Sequence, residues 1–239
     1  MDLGLTGKVA IVTGGSDGIG KAASLRIAAE GGRVAIVARR PDVLAAAADE
    51  IRRAGGGDSV LTVQADVTEA AAAGRVVKAT LDRFGAIDIL VNNAGTSMAK
   101  PFDAVSDADW RADFDLKVWS AIGLIRAAVP EMRRRGGGRI VNVTNLAGRT
   151  PGASSLPTSV ARASGIALTK ALSKDLAKDN ILVNTVCIGL IKSGQHERRH
   201  ARLSAAKPGL SLDEFYRQDA VSRGIPLGRV GESSEAGDV

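Results

Sequence analysis

The chain has 239 residues, enough for one large domain or two small ones. Hydrophobic residues at 45% and charged residues at 24% exclude a disordered chain, and 28 glycines without a three-residue period exclude collagen. The net charge is +6, but the basic residues are scattered and four Phe, two Trp and one Tyr offer few stacking platforms, which argues against nucleic acid.

Residues 8–13 (KVAIVT) are a short β-branched apolar run that meets glycines, and they predict the first strand. Residues 18–31 place Ile19, Ala22, Ala23, Leu25, Ile27 and Ala28 at helical spacing, with Gly31 and Gly32 as the stop. Residues 33–38 predict the second strand, and Pro41 opens an alanine-rich helix to about residue 54. Residues 59–64 predict the third strand. Thr68 is the expected cap of a helix that carries Glu69 in its first turn and runs to about Phe84. Residues 86–91 predict the fourth strand, and a long helix is expected from Ser106 to about Arg135. Arg133, Arg134 and Arg135 before three glycines suit a helix C-terminus. Residues 139–144 predict the fifth strand, residues 157–178 a helix, and residues 181–186 the sixth strand.

Strands alternating with helices imply an α/β fold: a doubly wound, Rossmann-type parallel sheet with helices on both faces. No shift in composition marks a linker, so residues 1–239 read as one domain. Residues 193–222 break the rhythm; they are polar and basic, and read as a lid-like insertion over a ligand crevice. The longest uncharged apolar stretches, about ten residues, are too short for a membrane span. Met1 and Asp2 open no signal peptide, so a cytoplasmic location is expected. The single cysteine, Cys187, excludes an internal disulfide and a cysteine-based zinc site, and reads as a small buried hydrophobe in a strand.

Thr13-Gly14-x-x-x-Gly18-x-Gly20 sits between the first strand and the first helix. Glycines there let the backbone turn tightly and approach a pyrophosphate, and the helix N-terminus offers free N–H groups. Further motifs follow in order: Asp66-Val67 after the third strand, Asn92-Asn93-Ala94-Gly95 after the fourth, then Asn184 and Gly189-Leu190-Ile191 around the sixth. From about Leu5 to Val239 the chain resembles the short-chain dehydrogenase/reductase family, in its 3-oxoacyl-reductase-like branch.

The resemblance implies a dinucleotide across the carboxyl ends of the strands. Its contacts would be Gly14, Ser16, Asp17, Gly18, Ile19 and Gly20 in the turn, with Asp66 and Val67 at the adenine. Asn93, Ala94, Gly95, Gly189 and Ile191 would complete the site. An acid at the end of the second strand would repel a 2′-phosphate, but that place holds Ala38, followed by Arg39 and Arg40. NADP(H) is therefore favoured over NAD(H), with Arg39 as the phosphate ligand; Asp17 argues the other way. The family also implies a homodimer or homotetramer packed through the helices at 106–135 and 157–178. In the first of these, Phe114, Val118, Ile122 and Ile125 form the apolar face. A further strand would follow the helix near Glu232, so with Val239 as the last residue the sixth strand is expected at an exposed edge.

The four catalytic positions of the family are all substituted. Lys117 stands for its asparagine, Asn145 for its serine, Thr158 for its tyrosine and Arg162 for its lysine. A threonine hydroxyl is a far weaker acid than a phenol, whereas Arg162 keeps its charge and can hold ribose hydroxyls. Lys117 is a substitute proton donor if burial lowers its pKa. Tyr216, the only tyrosine, and His196 and His200 lie in the lid segment; the histidines read as part of a solvated helix face, not as a metal site. Three functions stay open: an NADP(H)-linked oxidoreductase of a carbonyl or alcohol with a rearranged proton path, a nucleotide-binding pseudoenzyme, and non-redox chemistry on the same scaffold.

Overall fold

The computed structural model describes residues 3–206 and 209–239. The six expected runs pair as one parallel sheet in the order β3-β2-β1-β4-β5-β6. The strands are β1 (Val9–Thr13), β2 (Arg33–Ala38), β3 (Val60–Gln64), β4 (Ile89–Asn92), β5 (Gly138–Asn145) and β6 (Ile181–Ile188). β1 is buried along its whole length, as a strand covered on both faces must be. Its alternate residues feed two cores: Ile11 joins Val37, Leu90, Leu124 and Ile140 on one face, and Ala10 and Val12 join Val34, Ile36, Leu44 and Ile51 on the other. β6 lies at the sheet edge, paired along its length only with β5.

The helices are α1 (Gly18–Ala29), α2 (Pro41–Gly55), α3 (Ala72–Phe84), α4 (Asp107–Phe114), α5 (Ser120–Arg134), α6 (Thr158–Asp175), α7 (Gly194–Ala206), α8 (Leu212–Ser222) and α9 (Ser233–Gly237). Two of these depart from the expected form. Thr68 does not cap α3: its N–H and hydroxyl both donate to Asp66 Oδ1, at 3.0 and 2.8 Å, and α3 begins four residues later. The turn captures the threonine first. The long helix is interrupted by a π-helical turn at Asp115–Trp119 between α4 and α5. Ser106 does cap α4, through a reciprocal bond with Asp109.

The apolar face assigned to subunit packing is spent inside the chain. Val118 and Ile125 are buried, Ile125 within the main core, and Phe114 and Ile122 are half-buried. Trp119 and Val160, at 58% and 40% exposed, remain at the surface. Cys187 lies in β6 as expected but is half-buried, with Sγ 3.2 Å from Thr144 Oγ1.

Within 193–222, α7 and α8 pack on a small core of Phe215, Tyr216, Ala220 and Val230. Residues 207 and 208 lie outside the described residues. Asp219 holds the two helices together, 3.6 Å from Arg199 of α7 and 3.1 Å from Arg223.

The first two helices touch so closely that only glycine fits at the end of α2. A Cβ on Gly55 would lie 2.6 Å from the Ala28 carbonyl oxygen and 2.7 Å from Ala28 Cβ. Gly55→Ala should therefore cost about 1–3 kcal/mol. Gly57→Ala, with nothing within 4 Å, should stay within about 0.5 kcal/mol. Urea unfolding midpoints of the two variants check this.

Candidate active site

The sheet order reverses between β1 and β4, which opens a crevice at their carboxyl ends. Thr13 ties its two walls together. Its Oγ1 accepts from Asn93 N and Ala94 N, both at 3.0 Å, and Asn93 Nδ2 donates to Thr13 O at 2.9 Å. The glycine turn cannot carry side chains here. A Cβ on Gly14 would lie 2.9 Å from Asn93 Nδ2, and one on Gly20 would lie 2.5 Å from the same atom and overlap the Gly14 carbonyl. Gly14 and Gly18 also hold positive φ, at 64° and 53°. Asp17 precedes α1 without a side-chain capping bond, so the first-turn N–H groups of Gly18, Ile19 and Gly20 point out of the helix end. Ser16 is buried beside them.

The charged groups expected near an adenosine sort into two pairs. Arg39 Nη1 stands 3.6 Å from Asp66, and Arg40 Nη2 stands 3.6 Å from Asp17 Oδ2. Burial pushes the Asp66 carboxyl up, but the bonds from Thr68 and the Arg39 charge outweigh it and leave the pKa below the ordinary value. Val67 packs against the core. Asp17, Arg40 and Ser16 line a cavity of about 430 Å³, shared with Arg198 and Gly194 of α7. Of the two arginines, then, Arg40 rather than Arg39 faces the glycine turn. Ile191 and Gly231 form a parallel bridge beyond β6, just past Gly189. Asn184 is exposed in mid-strand, in register with Val141.

The four substituted positions split in behaviour. Thr158 and Arg162 are one turn apart on the first face of α6. Thr158 is buried, and its Oγ1 accepts from Met98 N at 3.0 Å, so the hydroxyl serves the loop after β4. Asn145 ends β5 with its buried Oδ1 unpartnered. Arg162 Nη1 donates to Val143 O at 2.6 Å, and a Cβ on Gly95 would lie 2.7 Å from Nη2. Its buried Nε has no partner, and burial pulls its pKa down against the pull of Asp113. Lys117 sits on the π turn, which swings it into the interior. There it donates to Asp113 Oδ1 on α4, both side chains being essentially inaccessible.

Burial lowers Lys117 to about 8; the Asp113 bond opposes the shift and the Arg162 charge adds to it. Lys117, Arg162, Thr13, Asn92, Asn142 and Thr144 line one cavity of about 20 Å³, enough for a single water. Behind it runs a buried ladder: Asn92 Nδ2 donates to Asn142 Oδ1, and Asn142 Nδ2 to Thr169 Oγ1, both at 2.9 Å.

Asp113 was not picked out by sequence reasoning. Its i,i+4 spacing to Lys117 was the available signal, masked by the ordinary look of charge pairs on helix surfaces. The aromatic and imidazole alternatives in the lid do not reach this place. Tyr216 is buried in the small core of the 193–222 segment, and burial and then Glu197 raise its pKa against a bond to the Ser193 backbone. His196 and His200 are half-buried rather than solvated; His196 sits edge-on to Tyr216, and burial lowers its pKa. Among the described residues no three His, Cys, Asp or Glu side chains gather as a metal site, and no helix is long and apolar enough to cross a membrane.

Residues 8–203 match the family model of the short chain dehydrogenases. The chain belongs to this family. This short chain dehydrogenase is 33% identical to a 3-oxoacyl-[acyl-carrier-protein] reductase of Synechocystis over 97% of its own length and 86% of the relative's. It is 36% identical to a 1,6-dihydroxycyclohexa-2,4-diene-1-carboxylate dehydrogenase of Pseudomonas putida, over 89% and 76%. Among solved structures, L-sorbose reductase of Gluconobacter frateurii, complexed with NADPH and L-sorbose, superposes with a TM-score of 0.93 at 33% identity, covering 100% and 89% of the chains. An NADPH-bound short chain oxidoreductase of Pseudomonas aeruginosa, described as containing an atypical catalytic center, gives 0.88 at 33% identity over 97% and 87%.

Among the described residues, Asp113 is the acid that compensates both Lys117 and Arg162 in the buried cluster of this dehydrogenase. Asp113→Asn should cost about 3–5 kcal/mol, because a buried cation loses its partner. Lys117→Met in the Asp113→Asn background should recover part of that loss. Chemical denaturation of the single and double variants measures both effects.

Proposed function

We propose that this protein is an NADP(H)-dependent oxidoreductase of a carbonyl or alcohol substrate in which Lys117 holds the transferable proton. The observation that carries the reading is Lys117 itself: buried, paired with Asp113, beside Arg162, and poised at about 8. A general acid works best near the operating pH, and Thr158 cannot supply one.

The residues at the crevice fit a dinucleotide. The glycines let the turn pack its backbone directly on Asn93 and Ala94, and the α1 N-terminus presents N–H groups to an anion. Gly14, Gly18, Ile19 and Gly20 would hold the pyrophosphate, Asp66 and Val67 the adenine end, and Asn93 to Gly95 with Gly189 and Ile191 the nicotinamide end. The NADPH-bound neighbours and the basic pair after β2 favour the phosphorylated form. When bound, the coenzyme supplies or accepts a hydride at the substrate carbon.

The chain's own groups then do the rest. Arg162, fixed by Val143 O, directs its remaining N–H groups to the ribose. Asn145 is placed to polarise the carbonyl with its amide N–H. Lys117 Nζ gives its proton to the substrate oxygen as that oxygen gains charge, and Asp113 keeps the ammonium oriented. Because Lys117 is inaccessible, a water in the cavity that Lys117 and Thr144 line would carry that proton outward. Afterwards the neutral amine is reprotonated from solvent.

The sign of the pH dependence follows. Reduction needs the ammonium form, so kcat/KM for NADPH-driven reduction should fall as pH rises through about 8; alcohol oxidation needs the amine and should rise through the same value. Lys117→Met should lower turnover by about 10²–10⁴-fold and remove the limb. Thr158→Ala should leave turnover within about threefold, since the bond to Met98 N is worth only about 1 kcal/mol of stability. The assay is NADPH oxidation against a panel of ketones and aldehydes. NADPH binding without turnover on any of them overturns the reading in favour of a nucleotide-binding pseudoenzyme.

The exposed Trp119 and Val160, on neighbouring segments of the long helices, support assembly as a homodimer or homotetramer. Light scattering should then give a multiple of 24.6 kDa, and Trp119→Asp should shift it toward that value.

A further inference from the structure

Arg198 belongs to the lid, yet its charged end faces the glycine turn. Its Nη1 stands 3.9 Å from Asp17 Oδ2, the same oxygen that Arg40 Nη2 approaches at 3.6 Å. Two guanidinium groups from two distant segments thus converge on one carboxylate oxygen. The lid is pressed against this point: a Cβ on Gly194 would overlap Asp17 Oδ2 and lie 3.1 Å from Arg198 Nη1. All four residues line the cavity of about 430 Å³.

Three of its lining residues, Ser16, Asp17 and Arg40, border the stretch between the glycine turn and the end of β2 that the adenosine ribose of a dinucleotide would cross. The pyrophosphate end is fixed at the α1 N-terminus and the adenine end at β3, so the ribose crosses the end of β2, beside Arg40. We propose that Arg198 completes, with Arg40, a site for the 2′-phosphate of NADP(H), so that one contact sets both coenzyme choice and the seating of α7. The proposal rests on the NADP(H) reading above and adds a ligand from the lid.

Lys21 and Glu50 are bonded to each other at 3.0 Å across the far side of the cavity. Glu197 lines it as well, and also acts on Tyr216. What remains is two arginines that both approach Asp17, with Glu197 as the second carboxylate of the cavity. Each guanidinium fork matches phosphate oxygens, and a doubly charged phosphate outcompetes a single carboxylate for the pair. Asp17 then becomes the competitor whose place the phosphate takes, which reconciles an acid in the turn with a preference for NADP(H). Arg198 and Arg40 are 59% and 51% exposed, so their removal leaves the fold intact.

The test is calorimetric titration of NADPH and NADH into the full chain and its variants. Wild type should bind NADPH more tightly. Arg198→Gln should weaken NADPH about tenfold and leave NADH unchanged. Arg40→Gln should do the same, and Asp17→Asn should tighten NADPH. If Arg198→Gln leaves NADPH untouched while Arg40→Gln weakens it, the proposal falls and the NADP(H) reading stands. An equal loss for both coenzymes in Arg198→Gln also overturns the proposal, because Arg198 then acts on the lid alone. Equal wild-type affinity for the two coenzymes overturns the NADP(H) reading itself, and the proposal with it.

Discussion

The candidate chemistry depends on one buried carboxylate. Asp113 is fully inaccessible and holds Lys117 by a direct ion pair, with the Arg162 charge close enough to feel it. A lone lysine in that position would lose its proton outright, and a lone arginine there would be a heavy burden on the fold. The carboxylate makes both tolerable, yet it does not fully compensate either, since both cations stay below their ordinary pKa. The π turn is part of the same arrangement. It inserts an extra residue per turn just where α4 becomes α5, and so rotates Lys117 inward while Trp119 stays at the surface.

Much of the scaffold could be read from the chain because short-range chemistry decides it. β-branched runs between glycines have one use in an alternating pattern, and the six strands fall where 8–13, 33–38 and their successors put them. The glycine turn was equally legible, since the overlap at Gly20 leaves no room for any other residue. Thr68 misled because a capping residue looks the same whether its partner is a helix N–H or the acid two residues earlier. The apolar face of α5 misled for a related reason. Periodicity shows that a face is buried but not against what: Ile125 packs into the chain's own main core, and Val118, on the π turn before α5, is buried as well.

The site itself was legible only in part. That Thr158 is no acid follows from its chemistry, but that it secures the loop at Met98 needs coordinates. Arg39 and Arg40 are indistinguishable as letters. Their separation, one toward Asp66 and one toward Asp17, follows from adjacent side chains leaving the end of β2 in different directions. Lys117 could be nominated as a donor from sequence only conditionally on burial. Asp113 supplies the missing half, because it explains how a buried ammonium persists at all.

Replacing a phenol by an ammonium changes the electrostatics of proton transfer, not just its source. A neutral acid beside a fixed cation leaves an anion behind, and the cation's task is to stabilise that anion. In the proposed reaction the acid is itself the cation. Before transfer the cluster of Lys117, Arg162 and Asp113 carries a net positive charge facing a carbonyl that is about to gain negative charge. That charge would stabilise the developing oxyanion. The oxyanion in turn raises the proton affinity of Lys117, which opposes early release and delays transfer until hydride arrival is well advanced. After transfer the cluster would be neutral, as is the alcohol formed. Arg162, which stays charged throughout, is then left to act on the ribose alone. In that proposal the four substitutions are mutually consistent: a threonine where no acid is needed, an arginine where charge must persist, an asparagine that could still donate to the carbonyl, and a lysine whose proton could move.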